Sequence, residues 1–104
     1  MTNCLVYMTA ASAEEARLIG TALVEERLAA CANVIDGMTS VYRWEGKVEY
    51  SDEAVLTAKT REELVPALTE RVKALHSYTC PCVVAFPIAG GNADFLDWIA
   101  AETS

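Results

Sequence analysis

Positive charge is scarce in this chain. Eight lysines and arginines stand against fifteen aspartates and glutamates, for a formal net charge of −7. A nucleic-acid binder needs a positive surface to release phosphate counterions, and docking on an anionic membrane needs the same sign; this balance argues against both. Glycine and proline are few, five and three in 104 residues, which excludes collagen-like and linker-dominated chains. No apolar run nears the ~20 residues that span a bilayer. The first basic residue is Arg17, so the start lacks the charged region of a secretory signal. No C-x-x-C occurs, and the four cysteines (Cys4, Cys31, Cys80, Cys82) sit in a chain that is 53% hydrophobic. Such a chain builds a core without disulfide staples. The expectation is a cytoplasmic protein with one domain over residues 1–104.

What is present alternates between strand and helix patterns. Cys4–Thr9 is a near-continuous apolar run, as in a strand buried on both faces. Ser12 and Glu15 spell a capping box, and Ala16, Ile19, Leu23, Leu28 and Cys31 recur at helical spacing behind it. The spacing predicts a helix from Ala13 to Ala30, with Cys31 closing its apolar stripe. Ala32–Trp44 is extended, with a bulge at Asp36-Gly37. Trp44–Lys47 is a turn, and Lys47–Lys59 is the return strand. Thr60 and Glu63 form a second capping box, and Leu64, Leu68, Val72 and Leu75 give a helix up to about His76, with either a late start or a kink at Pro66. Cys82–Ile88 is a fourth, short strand. Asn92 caps a last helix with Phe95, Leu96, Trp98 and Ile99 as its packing side. The order β-α-β-β-α-β plus a helix predicts an α+β, ferredoxin-like sandwich.

The central hairpin is too long for that sandwich. Each arm has about 13 residues, roughly 43 Å at ~3.3 Å per residue, whereas ordinary strands have about 5–6. Its outer half carries Val41, Tyr42, Trp44, Val48 and Tyr50, and each aromatic brings ~150–250 Å². Their sum reaches the ~300–600 Å² patch at which monomers usually stop. Either the hairpin folds back at Asp36-Gly37, or neighbouring copies cover it in a closed oligomer; the length favours the oligomer.

Several segments resemble the CutA family of divalent-cation tolerance proteins. They are M-T-A at Met8–Ala10, L-V-E-E-R-L-A-A-C-A-N at Leu23–Asn33 and S-V-Y-R-W-E-G-K at Ser40–Lys47. Lys59-Thr60, L-H-S-Y at Leu75–Tyr78 and F-L-D-W-I at Phe95–Ile99 also match, in the right order over nearly the whole chain. The resemblance implies a homotrimer built by strand pairing, a link to copper and other divalent metals, and no established reaction. It also implies likeness to the trimeric PII signalling proteins, which bind small ligands between subunits. Where many relatives carry a cysteine before T-A, this chain has Met8. The glutamates of the family's H-P-Y-E-x-P-E run are replaced by Thr79 and Cys82, which removes the carboxylates of a hard metal site.

The sharpest local cluster is His76 with Cys80 and Cys82, joined by Met8 as a soft donor. Imidazole and thiol ligands suit copper or zinc; no obligatory cofactor is implied. The same residues also read as packing, and this reading is the favoured one: Cys82 begins an apolar alternation, and the helix dipole favours a histidine at a C-terminus. Lys59 either faces an inter-subunit cleft and holds an anion or is a solvated strand end. Glu49, Asp52 and Glu53 read as a solvated edge or a hard-cation patch. No acylphosphatase-type arginine stands in the Thr9–Glu14 loop, the third strand lacks the basic aromatic surface of an RNA-recognition domain, and no nucleophile–base pair is evident. The expected function is a homotrimeric, non-enzymatic CutA-like protein of metal tolerance; the alternative is a PII-like small-molecule sensor.

Overall fold

The computed structural model describes residues 2–104. Its elements are β1 (Asn3–Ala10), α1 (Ala13–Glu25), β2 (Cys31–Trp44), β3 (Lys47–Arg61), a 3-10 turn (Glu62–Leu64), α2 (Val65–Leu75), β4 (Val83–Pro87) and α3 (Ala93–Glu102). The strands form one antiparallel sheet in the order β2-β3-β1-β4. The βαββαβ succession and the terminal helix are as the sequence predicts.

The core lies between one sheet face and the first two helices. Val6, Met8 and Ala10 of β1 and Leu56 and Ala58 of β3 meet Ile19 and Leu23 of α1 and Leu68 and Val72 of α2. Each fully buried large aliphatic here contributes about 1.5–3 kcal/mol. Gly20 lets α1 approach closely: a Cβ there would stand 3.2 Å from both Ala32 Cβ and Leu56 Cδ1. β1 is not buried on both faces. Its even-numbered side chains are covered and its odd-numbered ones only half so, because α1 and α2 share one face. Only α3 reaches the other face, at the Asn3 end, where Asn3 Nδ2 donates to Leu96 O at 3.1 Å and Arg61 Nε to Thr103 Oγ1 at 3.0 Å.

Helix starts and stops follow local chemistry. Ser12 Oγ accepts the Glu15 amide at 3.1 Å, as the capping box predicts. α1 ends at Glu25, five residues short of the expected Ala30. Arg27 turns left-handed at φ 58°, and Leu28 N bonds back to Leu23 O at 2.9 Å. Cys31 therefore opens β2, half-buried, instead of closing the helix. The Thr60 cap also fails: Thr60 is fully buried in β3, and the chain enters α2 through the 3-10 turn with Pro66 in the first turn. β4 starts at Val83 and leaves Cys82 outside it. Asn92 Oδ1 caps α3 by accepting from Asp94 N at 3.1 Å. Of the expected packing side of α3 only Ile99 is fully buried, while Phe95 and Trp98 stay exposed.

The hairpin carries the bulge the sequence predicts. Pairing passes from Ile35↔Val55 to Met38↔Glu53, and Gly37 takes φ 75°. At the tip Trp44 pairs with Lys47, and Glu45 and Gly46 have φ 49° and 79°, the left-handed pair of a type I′ turn. The extra residue shifts the side-chain alternation of β2. Beyond it, Tyr42 lies opposite Glu49 and Trp44 opposite Lys47, on one face; Val41 lies opposite Tyr50 and Arg43 opposite Val48, on the other. The apolar side chains are thus split between both faces of the ribbon.

Candidate functional site

The loop after α2 packs against the end of β1. His76 caps the C-terminus of α2 and its side chain is only 1% exposed. Its Nε2 meets Thr9 O at 2.8 Å, and its Nδ1 accepts from Tyr78 N at 3.0 Å. A carbonyl accepts only, so Nε2 carries the hydrogen and both ring nitrogens are engaged. Glu15 ties the same loop to α1. Its Oε1 accepts Ala11 N and its Oε2 accepts Ser77 N, each at 3.0 Å. Burial pushes the Glu15 carboxyl up, but the bonds from Ala11 and Ser77 and the nearby His76 outweigh it, and the net shift is downward. Tyr78 Oη donates to Glu53 Oε2 at 2.7 Å; burial and that bond raise its phenol above the ordinary range.

The structure does not assemble the predicted soft-metal cluster. Among the described residues no three His, Cys, Asp or Glu side chains are placed to hold a metal ion. His76 has no free lone pair. Met8 is shut in the core. Burial and the Glu53 charge push the Cys82 thiol up, away from the thiolate that binds metal. Cys80 is exposed, and all four cysteines are free. Neither does the acidic edge form a patch: Glu53 is buried under Tyr78 and Asp52 accepts from Thr39 Oγ1 at 3.5 Å. Glu15, Glu53 and Tyr78, which do organise this corner, carry no metal-type spacing; in the sequence Glu15 stands out as a helix cap, Glu53 as part of an acidic edge and Tyr78 within L-H-S-Y.

Lys59 lies on the open sheet face. Its Nζ donates to Asn33 Oδ1 at 3.0 Å, lies 3.9 Å from Cys31 Sγ, and stands 6.0 Å from the centre of the Phe95 ring. Among the described residues no carboxylate pairs with it. Leu5 lies opposite it on β1, and Phe86 opposite Leu5 on β4. The five hairpin residues expected at an interface (Val41, Tyr42, Trp44, Val48, Tyr50) are all exposed, Tyr50 by 71%.

The family described as CutA1 divalent ion tolerance protein matches residues 4–102. A divalent-cation tolerance protein CutA of Thermus thermophilus is 54% identical over 99 residues, covering 95% of this chain and 96% of that protein. One of the same name from Archaeoglobus fulgidus is 47% identical over 90% and 91% of the two chains. A rice CutA described as chloroplastic is 46% identical, and this chain spans 57% of its length. Among solved structures, the Thermus protein superposes with a TM-score of 0.96 at 52% identity, covering 98% of this chain and 99% of that one. An Archaeoglobus structure described as periplasmic gives 0.95 at 43% identity, covering 98% and 99%. Family match, identity and fold agree along the whole described sheet, and the chain belongs to the CutA family of divalent-cation tolerance proteins.

Proposed function

We propose that this chain acts in divalent-cation tolerance as a cytoplasmic homotrimer, without an enzymatic reaction and without a resident metal in each subunit. The observation that carries the assembly is the hairpin, whose two faces both display uncovered aromatic and branched side chains. The free state of all four cysteines supports a reducing compartment. Copper or zinc contact falls to Cys80, which is exposed, and Cys82, which is half-buried two residues on. Titration of Cu(I) and Zn(II) into wild type, Cys80→Ser/Cys82→Ser and His76→Gln tests this. The expected result is weak binding that disappears with the thiols and survives without the imidazole. A tight site lost in His76→Gln and kept without the thiols contradicts it.

Lys59 favours a second reading, in which the trimer is PII-like and binds a small ligand between subunits. An ammonium with neutral partners only, on an open face, is suited to an anion.

A further inference from the structure

Lys59 is a half-buried cation in a chain whose acids outnumber its bases fifteen to eight, yet its hydrogen-bond partners are an amide oxygen and a sulfur. Burial strips water from an ammonium, and neutral acceptors replace that hydration only in part. Asn33 Oδ1 takes the Lys59 ammonium and, at 3.4 Å, the Thr57 hydroxyl. Both donors fix the amide with its oxygen toward Lys59, and among the described residues its NH2 group has no acceptor. An ammonium has three donors and a carboxamide two, so both groups keep hydrogens to give. The surroundings are apolar: Leu5 is opposite Lys59, Phe86 is next across the sheet and 53% exposed, and Phe95 lies over the ammonium.

We infer that Lys59 and Asn33 form a carboxylate-binding subsite, and that Leu5, Phe86 and Phe95 receive the rest of the ligand. One cation beside an apolar wall matches one negative charge on a hydrophobic body. The ligand class is a small monocarboxylate with an aromatic or branched aliphatic group. Dianions such as phosphate have one counter-charge too few here, and the first turn of α3, which carries Phe95, also carries the like charge of Asp94. This inference rests on the reading of Lys59 as facing a cleft between subunits.

Thermal unfolding of the intact protein with phenylacetate as probe, alongside sedimentation, tests it. A ligand of the native state raises Tm with concentration. Phenylacetate is expected to raise Tm; phenylacetamide, the neutral isostere, and inorganic phosphate are expected to act at least tenfold more weakly. Lys59→Met is expected to lose the phenylacetate response. Equal responses to acid and amide, or to phosphate, overturn the carboxylate class, as does a sedimenting trimer that ignores phenylacetate. Binding by a protein that sediments as one subunit sustains the subsite and overturns the cleft. A wild type deaf to phenylacetate whose Lys59→Met variant falls apart shows that Lys59 pairs with a carboxylate of another copy, which also overturns the inference. Should Lys59→Met fail to fold, the acid–amide comparison in wild type decides alone.

Discussion

Glu15 shows how one side chain joins three pieces of chain. Its carboxylate takes amides from the entry of α1 and from the loop after α2, and it lies 3.8 Å from His76 Nδ1. Its folded pKa is lowered, so its ionised form stabilises the fold above the ordinary carboxylate pKa, and that contribution is lost as pH falls through the lowered folded value. Glu15→Gln is therefore expected to be less stable than wild type at neutral pH, and the gap is expected to narrow on acidification. Urea midpoints from pH 7 to pH 3 measure it; a constant gap contradicts the account. Thr60 is the opposite case. Its Oγ1 is buried and has no hydrogen-bond partner among the described residues, which costs about 1–3 kcal/mol. Valine has the same shape with a methyl in place of the hydroxyl, so Thr60→Val is expected to stabilise by about 1 kcal/mol, read as a higher urea midpoint at fixed protein concentration.

At the level of elements, turns decide what pairs with what. Glu45 holds φ 49°, where a residue other than Gly, Asn or Asp pays roughly 1–2 kcal/mol. Glu45→Asn makes the Asn-Gly pair that type I′ turns favour, and Tm is expected to rise; Gly46→Ala, at φ 79°, is expected to lower it. These turns were legible, because D-G and E-G between β-formers leave few choices. So were the strands and helices, whose periods are long and regular. The end of α1 was not, since Arg27 adopts a left-handed conformation with no glycine to announce it. Thr60 misled for a related reason: T-x-x-E spells a cap, but pairing of Thr60 with Cys4 in the sheet holds the residue extended and turns its side chain to the core. The candidate site was legible only as residue types. His76, Cys80 and Cys82 are close in sequence, but whether a histidine keeps a lone pair depends on Thr9 and Tyr78, and one of these lies on a distant strand.

The whole molecule is long, 44 by 25 by 23 Å, because the hairpin outruns the sheet. A ribbon with different apolar residues on its two faces offers two different surfaces. A two-fold dimer buries one self-complementary patch and leaves the second surface wet; head-to-tail contacts use both and close into a ring. Stable interfaces cover ~800 Å² per partner, more than one face of this ribbon provides from two or three side chains at ~150–250 Å² per aromatic, so both faces are required. Lysines at Val41 and Tyr50 burden one face, and lysines at Tyr42 and Trp44 burden the other. Wild type is expected to sediment as three subunits, and each double variant as a single subunit under the same conditions, with its strand content intact by circular dichroism. If one pair dissociates the assembly and the other leaves it whole, neighbours cover only one face of the ribbon; if neither has an effect, the copies do not meet at the hairpin, and its aromatic side chains need another partner.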